Sequence, residues 1–203
     1  MIVWYKNKES HPKDAKTMLF ESEDTTEVYE VTDVVAMMDY ELNLHCSNVA
    51  NLVEKFGQDL ELGDLELLFH AASTHDVGKI YISSDILHKP ASLDIVEKEI
   101  MDTHAYISFR ILSEMGFSKD VCTIVLYHHG MKDIYMGKNL PVLPDDLKRH
   151  ANVLRTLDAY DALISRRSFR SGYTETEAIE ILETEGWYDA ITLNLLKKMQ
   201  GFF

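Results

Sequence analysis

The chain has 203 residues, a length that suggests one domain and at most two. Hydrophobic residues make up 46% and charged residues 27% of it, ordinary globular values that argue against disorder. The 20 Lys and Arg against 34 Asp and Glu leave a formal net charge of −14, which argues against a nucleic-acid polymer as partner. The sequence shows no secretory signal and no apolar run of the roughly 20 residues that span a bilayer, so we expect a cytoplasmic protein without a membrane contact.

The predicted elements are almost all helical. Residues 1–24 are polar and predict a short arm with weak structure, which leaves 25–203 as the globular domain. Helical spacing of apolar residues recurs in most later windows, whereas strand-like alternation is nearly absent, so the sequence predicts an all-α helical bundle. In chain order we expect helices over 25–56, 65–74, 93–114, 118–129, 145–165, 174–184 and 187–200, with Ser92 as the N-cap of the third helix and a loop over 130–144.

Histidines and carboxylates recur at positions where they could hold metal. Two adjacent pairs stand out, one in the turn HDVGK and one at the end of the apolar segment TIVLYHHG. Imidazole and carboxylate groups without thiolates suit Fe, Mn or Zn in a nitrogen–oxygen site. Two such metals can clamp the attacking and leaving oxygens of a phosphoryl transfer. The candidate ligands are Glu41, His45, His75, Asp76, His104, His128, His129 and Asp158.

Each of these residues also has an ordinary structural interpretation when it is taken alone. A buried histidine is commonly a hydrogen-bonded core residue, and a Glu41–His45 pair four residues apart is commonly a solvated helix face. The turn HDVGK is more specific, because a glycine directly after a helix and a charged triplet coincide rarely. The order of all the motifs along the chain therefore favours a metal site over separate structural roles.

That order resembles the HD-domain metal-dependent phosphohydrolases, and more closely the HD-GYP subfamily, which hydrolyses cyclic di-GMP. The resemblance covers about residues 35 to 195 and includes ILHKPASLD, IMDTH, TLDAYDAL and RRSFRSGYTETEAIEIL. It implies an HD-domain helical bundle that uses all eight candidate ligands for two or three metal ions, iron first and manganese next. In the family the aspartate that matches Asp76 bridges two metals, and the glutamate that matches Glu41 helps to hold a third.

The resemblance also implies roles beyond the ligands. Lys79 matches the lysine that points toward the substrate phosphate, and we expect Asp76 and Lys79 to carry the catalysis. Arg166 and Arg170 are candidate contacts for a phosphate of the substrate. Asp161 has no ligand role in the family, and we expect it to cap or pair within the helical bundle.

Two departures from the family concern recognition. After the histidine pair the chain has GMKDIYMGKNLP where the subfamily has a loop with Gly-Tyr-Pro, and Asn152 stands where the family has an arginine. In the family that loop lies beside the catalytic pocket and is associated with contacts to partner signalling domains. The sequence therefore predicts retained metal binding with altered recognition of the substrate or of a signalling partner protein.

The predicted activity is a metal-dependent phosphodiesterase for a cyclic dinucleotide, cyclic di-GMP or a related one, or for its linear product. A metal-bridging hydroxide attacks phosphorus in this mechanism, and Lys79 stabilises the developing charge. Two alternatives stay open. One is an HD phosphohydrolase for another small nucleotide or phosphate ester, and the other is a catalytically weak receptor that binds a nucleotide and signals to a partner.

Overall fold

The structure is a computed structural model that describes residues 30–130, 139–165 and 171–200. Within these ranges the regular secondary structure is helical and no strand occurs, which confirms the predicted all-α fold. The predicted arm over 1–24 lies outside the described residues. The α-helices are α1 (Val31–Val35), α2 (Tyr40–Phe56), α3 (Leu65–Thr74), α4 (Ser84–Leu87), α5 (Ile95–Asp102), α6 (His104–Glu114), α7 (Lys119–Tyr127), α8 (Asp145–Ile164), α9 (Glu175–Glu185) and α10 (Ala190–Gln200).

The predicted helix over 25–56 is wrong as one element, because α1 and α2 are separate helices. The break lies at Asp39, whose backbone is extended (φ −70°, ψ 173°). Its carboxylate accepts a hydrogen bond from the Leu42 amide at 2.9 Å and so caps the first turn of α2. An aspartate that satisfies a first-turn amide favours a helix start over a helix interior. Residues 25–29 of the prediction lie outside the described residues.

The predicted helix over 93–114 is likewise two helices, α5 and α6, which meet at Thr103. Its predicted N-cap is also wrong, since Asp94 and not Ser92 caps α5. The Asp94 carboxylate accepts from the Glu97 amide at 2.9 Å, and the Glu97 carboxylate accepts from the Asp94 amide at 2.8 Å. This reciprocal pair is a capping box. The junction at Thr103 places His104 at the first position of α6.

The remaining predicted helices agree closely with the structure. The predicted bounds of α3 are those observed, α8 ends one residue earlier than predicted, and α9 begins and ends one residue later than predicted. The predicted 118–129 helix ends at Tyr127, so the histidine pair lies just beyond α7, and α10 begins at Ala190. No helix in the described ranges is both long enough and apolar enough to cross a membrane.

The core lies between α2, α3, α7 and α8. Helix α3 packs against both α2 and α7, and α8 closes the group by packing against α2 and α7. Helices α9 and α10 pack on each other and on α8, while α6 packs on α7 and on the short 3₁₀ helix Val77–Tyr81. Fully buried apolar side chains fill the space between the helices, among them Leu68, Leu112, Ile124, Leu154 and Leu157. The C-terminal ends of α3 and α7 are thereby held beside the middle of α2 and α8.

Gly78 marks the point where the HDVGK turn touches α6. Its amide donates to the Ser108 hydroxyl at 2.8 Å. A Cβ atom added at Gly78 would collide with the His104 carbonyl oxygen and would lie 2.6 Å from the Ser108 amide nitrogen. Because these atoms belong to the backbone of α6, they cannot move aside independently. The glycine of this turn therefore sets the distance between Asp76 and His104.

We expect Gly78→Ala to destabilise the metal-free protein by about 1–3 kcal/mol, the usual cost of forcing extra volume into a packed interior. Gly63→Ala is the matched control, because a Cβ there meets no atom within 4 Å and the backbone is not left-handed. We expect this control to change the stability by less than about 0.5 kcal/mol. Urea unfolding of both variants measures the difference, and equal stabilities would show that α6 does not press on the turn.

Candidate metal centre

Seven of the eight candidate ligands lie on five helices or directly after them, and the bundle brings these seven residues together. His75 is the C-cap of α3 and Asp76 follows it, while His104 opens α6. His128 is the C-cap of α7 and His129 follows it. His45 and Asp158 face the same space from the interiors of α2 and α8.

Three overlapping groups of these side chains are close enough to share a metal ion. Within each group the ligand atoms all lie within 4.8 Å of one another. His75 belongs to two of the groups, and so does His128, which makes the cluster continuous. Among the described residues the groups are His45–His75–Asp76, His75–His128–Asp158 and His104–His128–His129.

Glu41 lies apart from these groups. It is exposed in the first turn of α2, one helical turn before His45, and it belongs to none of the three groups. The structure therefore brings together seven of the predicted ligands and leaves Glu41 at the edge of the cluster. Its predicted role with a third metal stays a prediction.

The backbone fixes which ring nitrogen of each buried histidine faces the cluster. The Nδ1 atom of His75 is 2.9 Å from the Ala72 carbonyl oxygen. His104 and His128 repeat this pattern, with Nδ1 at 2.6 Å from the carbonyl oxygen three residues earlier in each case. A carbonyl can only accept, so Nδ1 carries a proton, and in the neutral ring Nε2 then has the free lone pair. This is the tautomer that a metal ligand needs.

The inward-facing atoms are buried without a partner. Nε2 of His75, His104 and His128 and Oδ1 of Asp76 have no hydrogen-bond partner among the described residues. Buried polar atoms in folded proteins nearly always have a partner, so four such atoms in one cluster need an explanation. A cation coordinated by these lone pairs satisfies them all. The residues present thus fit a metal site.

Asp76 faces both halves of the cluster with its two oxygens. Oδ2 lies 3.5 Å from His45 Nε2 and 3.6 Å from His75 Nε2. Oδ1 lies 3.2 Å from His104 Nε2 on the other side. The Asp76 side chain is only 1% exposed, so the surrounding side chains hold it in this orientation.

Lys79 makes an ion pair with the same carboxylate. Its Nζ contacts Asp76 Oδ2 from one helical turn later, and its side chain remains 17% exposed. The ammonium group therefore stands between the buried cluster and solvent. A phosphate that approached the cluster from this side would meet the Lys79 charge.

Burial and neighbouring charges shift the pKa values of the cluster residues in different directions. Burial alone would raise the pKa of the Asp76 carboxyl, but the Lys79 ammonium and the surrounding imidazoles hold it well below its usual range. Burial lowers the pKa of His128 strongly and that of His129 to about 3, so both rings are neutral at pH 7. Burial also lowers the pKa of His45, yet its hydrogen bonds with two aspartates outweigh that and raise it to about 9.

Asp161 is a functional candidate whose role the sequence did not reveal. Its Oδ2 lies 2.6 Å from His45 Nδ1, and its Oδ1 accepts from the Asn48 side-chain amide at 3.0 Å. The Ser165 hydroxyl donates to Oδ2 at 3.2 Å. Asp161 thus pairs within the bundle, as expected, and its partner is the candidate ligand His45. A sequence signal existed, because residues three apart on a helix share a face and Asp158 is a candidate ligand.

We expect Asp161→Asn to weaken Mn²⁺ binding by the metal-free protein about 10- to 100-fold, the usual cost of losing a partner that orients a ligand. The asparagine amide can donate to His45 Nδ1 and so shift the ring proton to Nε2, which then cannot bind metal. Asp189→Asn is the control, since that carboxylate supports Arg149 and Thr192 away from the cluster. Calorimetric titration with Mn²⁺ measures both, and unchanged affinity in Asp161→Asn would contradict the assigned role.

The predicted substrate contacts Arg166 and Arg170 lie outside the described residues, as do residues 131–138 of the predicted loop. The remaining part of that loop, residues 139–144, shows no helix or strand. The interpretation of this loop as a recognition element stays a prediction.

Several known proteins have sequences similar to this chain. The chain is 29% identical over 202 residues to a protein named cyclic di-GMP phosphodiesterase from Thermotoga maritima, covering 90% of this chain and 54% of that protein. It is also 29% identical to 3′3′-cGAMP-specific phosphodiesterase 2 from Vibrio cholerae, covering 76% of this chain and 30% of that protein. The chain therefore spans about half or less of the length of these relatives.

A solved structure has the same fold. The HD domain of phosphodiesterase PgpH from L. monocytogenes, in complex with cyclic-di-AMP, superposes with a TM-score of 0.59 at 17% sequence identity. The superposition covers 86% of this chain and 98% of that domain. This likeness shows a shared helical architecture.

A family model described as HD domain matches residues 44–163, which is more than half of the chain. The match includes all seven clustered ligand positions described above. Together with the named relatives, it confirms the predicted HD-GYP-like assignment. The chain belongs to the HD domain family.

Proposed function

We propose that this domain is a metal-dependent phosphodiesterase that hydrolyses a cyclic dinucleotide. The observation that carries the proposal is the set of buried ring nitrogens and carboxylate oxygens that face one another without other partners. A site of this kind, with the partly exposed Lys79 ammonium beside it, suits an anionic phosphodiester. Both named relatives act on cyclic dinucleotides according to their names, which supports that substrate class.

The cluster has enough ligands for two metal ions. We propose that His45, His75 and Asp158 would hold one ion and His104, His128 and His129 the other, and that Asp76 would contribute to both. The two sides from which Asp76 is approached support a bridging role for its carboxylate. The nitrogen–oxygen ligand set suits Fe and Mn, which we propose in that order. Bound metals would lower the pKa of water and neutralise phosphate charge.

The chain's own residues orient and screen the reacting groups. Asp161 holds the His45 ring in the metal-binding tautomer, and the carbonyls at the ends of α3 and α7 do the same for His75 and His128. Lys79 places a positive charge where the non-bridging oxygens of the phosphate would gain negative charge during hydrolysis. Hydrolysis adds water across the P–O3′ bond, so the 3′ oxygen leaves with a proton.

The absent Gly-Tyr-Pro segment supports a change in recognition, while the cluster itself would act on any phosphodiester. We therefore propose that generic diesters are hydrolysed and that selectivity among cyclic dinucleotides differs from that of the subfamily. We also propose that a signalling partner protein contacts the segment 130–144 and that the protein is located in the cytoplasm. Both rest on the sequence.

The test is a substrate panel with protein purified anaerobically and reconstituted with Fe or Mn. Cyclic di-GMP, cyclic di-AMP, 3′3′-cGAMP, their linear products, bis(p-nitrophenyl) phosphate and the monoester p-nitrophenyl phosphate are compared by chromatography of the products. We expect hydrolysis of the generic diester and of at least one cyclic dinucleotide. Hydrolysis of monoesters alone would favour a different HD phosphohydrolase, and tight nucleotide binding without any hydrolysis would favour a receptor.

A further inference from the structure

One turn of α8 contacts the histidine pair at two places. Asp158 Oδ2 lies 3.7 Å from His129 Nε2. Three residues earlier on α8, Arg155 donates from Nε to the His128 carbonyl oxygen at 2.9 Å. That carbonyl belongs to the peptide group that joins His128 to His129. Arg155 thus fixes the peptide between two candidate ligands.

The contact lies at the end of α7, where the backbone needs external partners. The last carbonyls of a helix have no amide within the helix to bind, and a cation near them is also favoured by the helix dipole. The Gly130 amide satisfies the Tyr127 carbonyl at 2.8 Å, and Arg155 satisfies the next one. These two bonds determine how the chain leaves the helix after the histidine pair.

The exit at Gly130 is shaped around the same side chain. Gly130 has a φ of +76°, in the left-handed region that favours glycine. A Cβ atom there would lie 2.5 Å from Arg155 Nη2 and 3.6 Å from Cζ. The guanidinium group therefore packs directly over the Gly130 backbone, where a side chain would displace it.

We propose that Arg155 is a positioning residue that holds the His128–His129 pair in the geometry required for the metal ion bound by His104, His128 and His129. The inference rests on the proposed function and deepens it by assigning a residue that the ligand motifs do not contain. Rotation of the 128–129 peptide would move the His129 ring relative to His128 Nε2, because His128 Nδ1 is already tied to the Val125 carbonyl. Arg155 opposes that rotation.

The test is calorimetric titration of the metal-free full chain with Mn²⁺ alone. We expect Arg155→Met to weaken binding of one Mn²⁺ equivalent about 10- to 100-fold, the usual effect of removing a partner that orients a ligand. The affinity for the other equivalent, held by His45, His75 and Asp158, is expected to change by less than about threefold, because these ligands keep the partners that orient them. Arg155→Lys keeps a charged donor and is expected to recover most of the affinity.

Arg149→Met is the matched control. Arg149 also lies on α8 and also donates to a backbone carbonyl, that of Glu61 at 2.8 Å, but far from the histidine pair. We expect this variant to lose stability without a change in either Mn²⁺ equivalent. Should Arg155→Met fail to fold, Arg155→Gln is titrated instead. Its shorter, neutral side chain cannot reach the same carbonyl, so we expect weaker binding of the same Mn²⁺ equivalent.

Three results would overturn the inference. They are wild-type affinity for both equivalents in Arg155→Met or Arg155→Gln, an equal loss in Arg149→Met, and a wild-type chain that binds no Mn²⁺. Failure of the proposed function is seen separately in the substrate panel. If the chain binds Mn²⁺ in an Arg155-dependent way but hydrolyses no phosphodiester, the positioning role of Arg155 stands and the proposed phosphodiesterase activity is wrong.

Discussion

Asp76→Ala is expected to abolish hydrolysis and to remove metal from the protein. The Asp76 carboxylate is buried and faces His45 and His75 on one side and His104 on the other, whereas the ion pairs of Asp158 are with His45, His75 and His129. Its loss also leaves Asp158 as the carboxylate among these imidazoles, so the cluster offers less negative charge to a divalent cation. Elemental analysis after reconstitution and the rate with bis(p-nitrophenyl) phosphate measure the two effects together.

The control for this variant is Asp59→Ala, which removes an exposed carboxylate from the short helix after α2. We expect Asp59→Ala to keep the metal content and the rate of the wild type. Circular dichroism of both variants separates loss of metal from loss of fold. An Asp76→Ala protein that retained its metals and its rate would contradict the bridging role.

Lys79→Ala is expected to lower the rate of hydrolysis by a factor of about 10²–10³ while the metal content stays unchanged. The reason is that the Lys79 ammonium is not a ligand but stands beside Asp76 at the solvent side of the cluster. A charge in that place stabilises the transition state of phosphoryl transfer more than the bound substrate. The rate should fall for the generic diester and for the cyclic dinucleotide alike, since both present the same phosphate oxygens.

Lys98→Ala is the matched control for this experiment. Lys98 lies on α5 with a side chain that is 67% exposed, and it pairs with Asp102 on the helix surface. Saturation kinetics separate the effects, because a transition-state contact lowers kcat whereas a ground-state contact raises KM alone. An unchanged kcat in Lys79→Ala would reduce Lys79 to a surface charge.

Local patterns in the sequence were enough to predict the helical class and most helix positions. The bounds of α3 follow from apolar spacing between Asp64 and the HDVGK turn, and those of α8 from Pro144 and the run that follows it. The two failures, at Asp39 and Thr103, have a local cause as well. In both places the helical spacing of apolar residues continues across the break. The residues that end one helix and begin the next give a weaker sequence signal than that spacing does.

The chemistry of the cluster was also visible in the sequence, because the type and order of the ligands survive without knowledge of the fold. The HD pair, the histidine pair and Asp158 each occur in a short motif that can be read locally. The sequence could not show that Glu41 is exposed at the edge of the cluster. A spacing of four residues places Glu41 and His45 on one face of α2 but does not say where the cluster ends.

The sequence by itself determined that the protein is a helical bundle with a histidine–aspartate centre, because periodicity and ligand type are properties of short segments. Only the tertiary structure decided which ring nitrogens face inward and how Asp76 is shared between two sides. It also decided that Asp161 and Arg155 support the ligands. Asp161 meets His45 across 116 positions of the chain, and Arg155 meets His128 across 27. Such contacts exist only once packing has brought α2, α7 and α8 together, and no local pattern contains them.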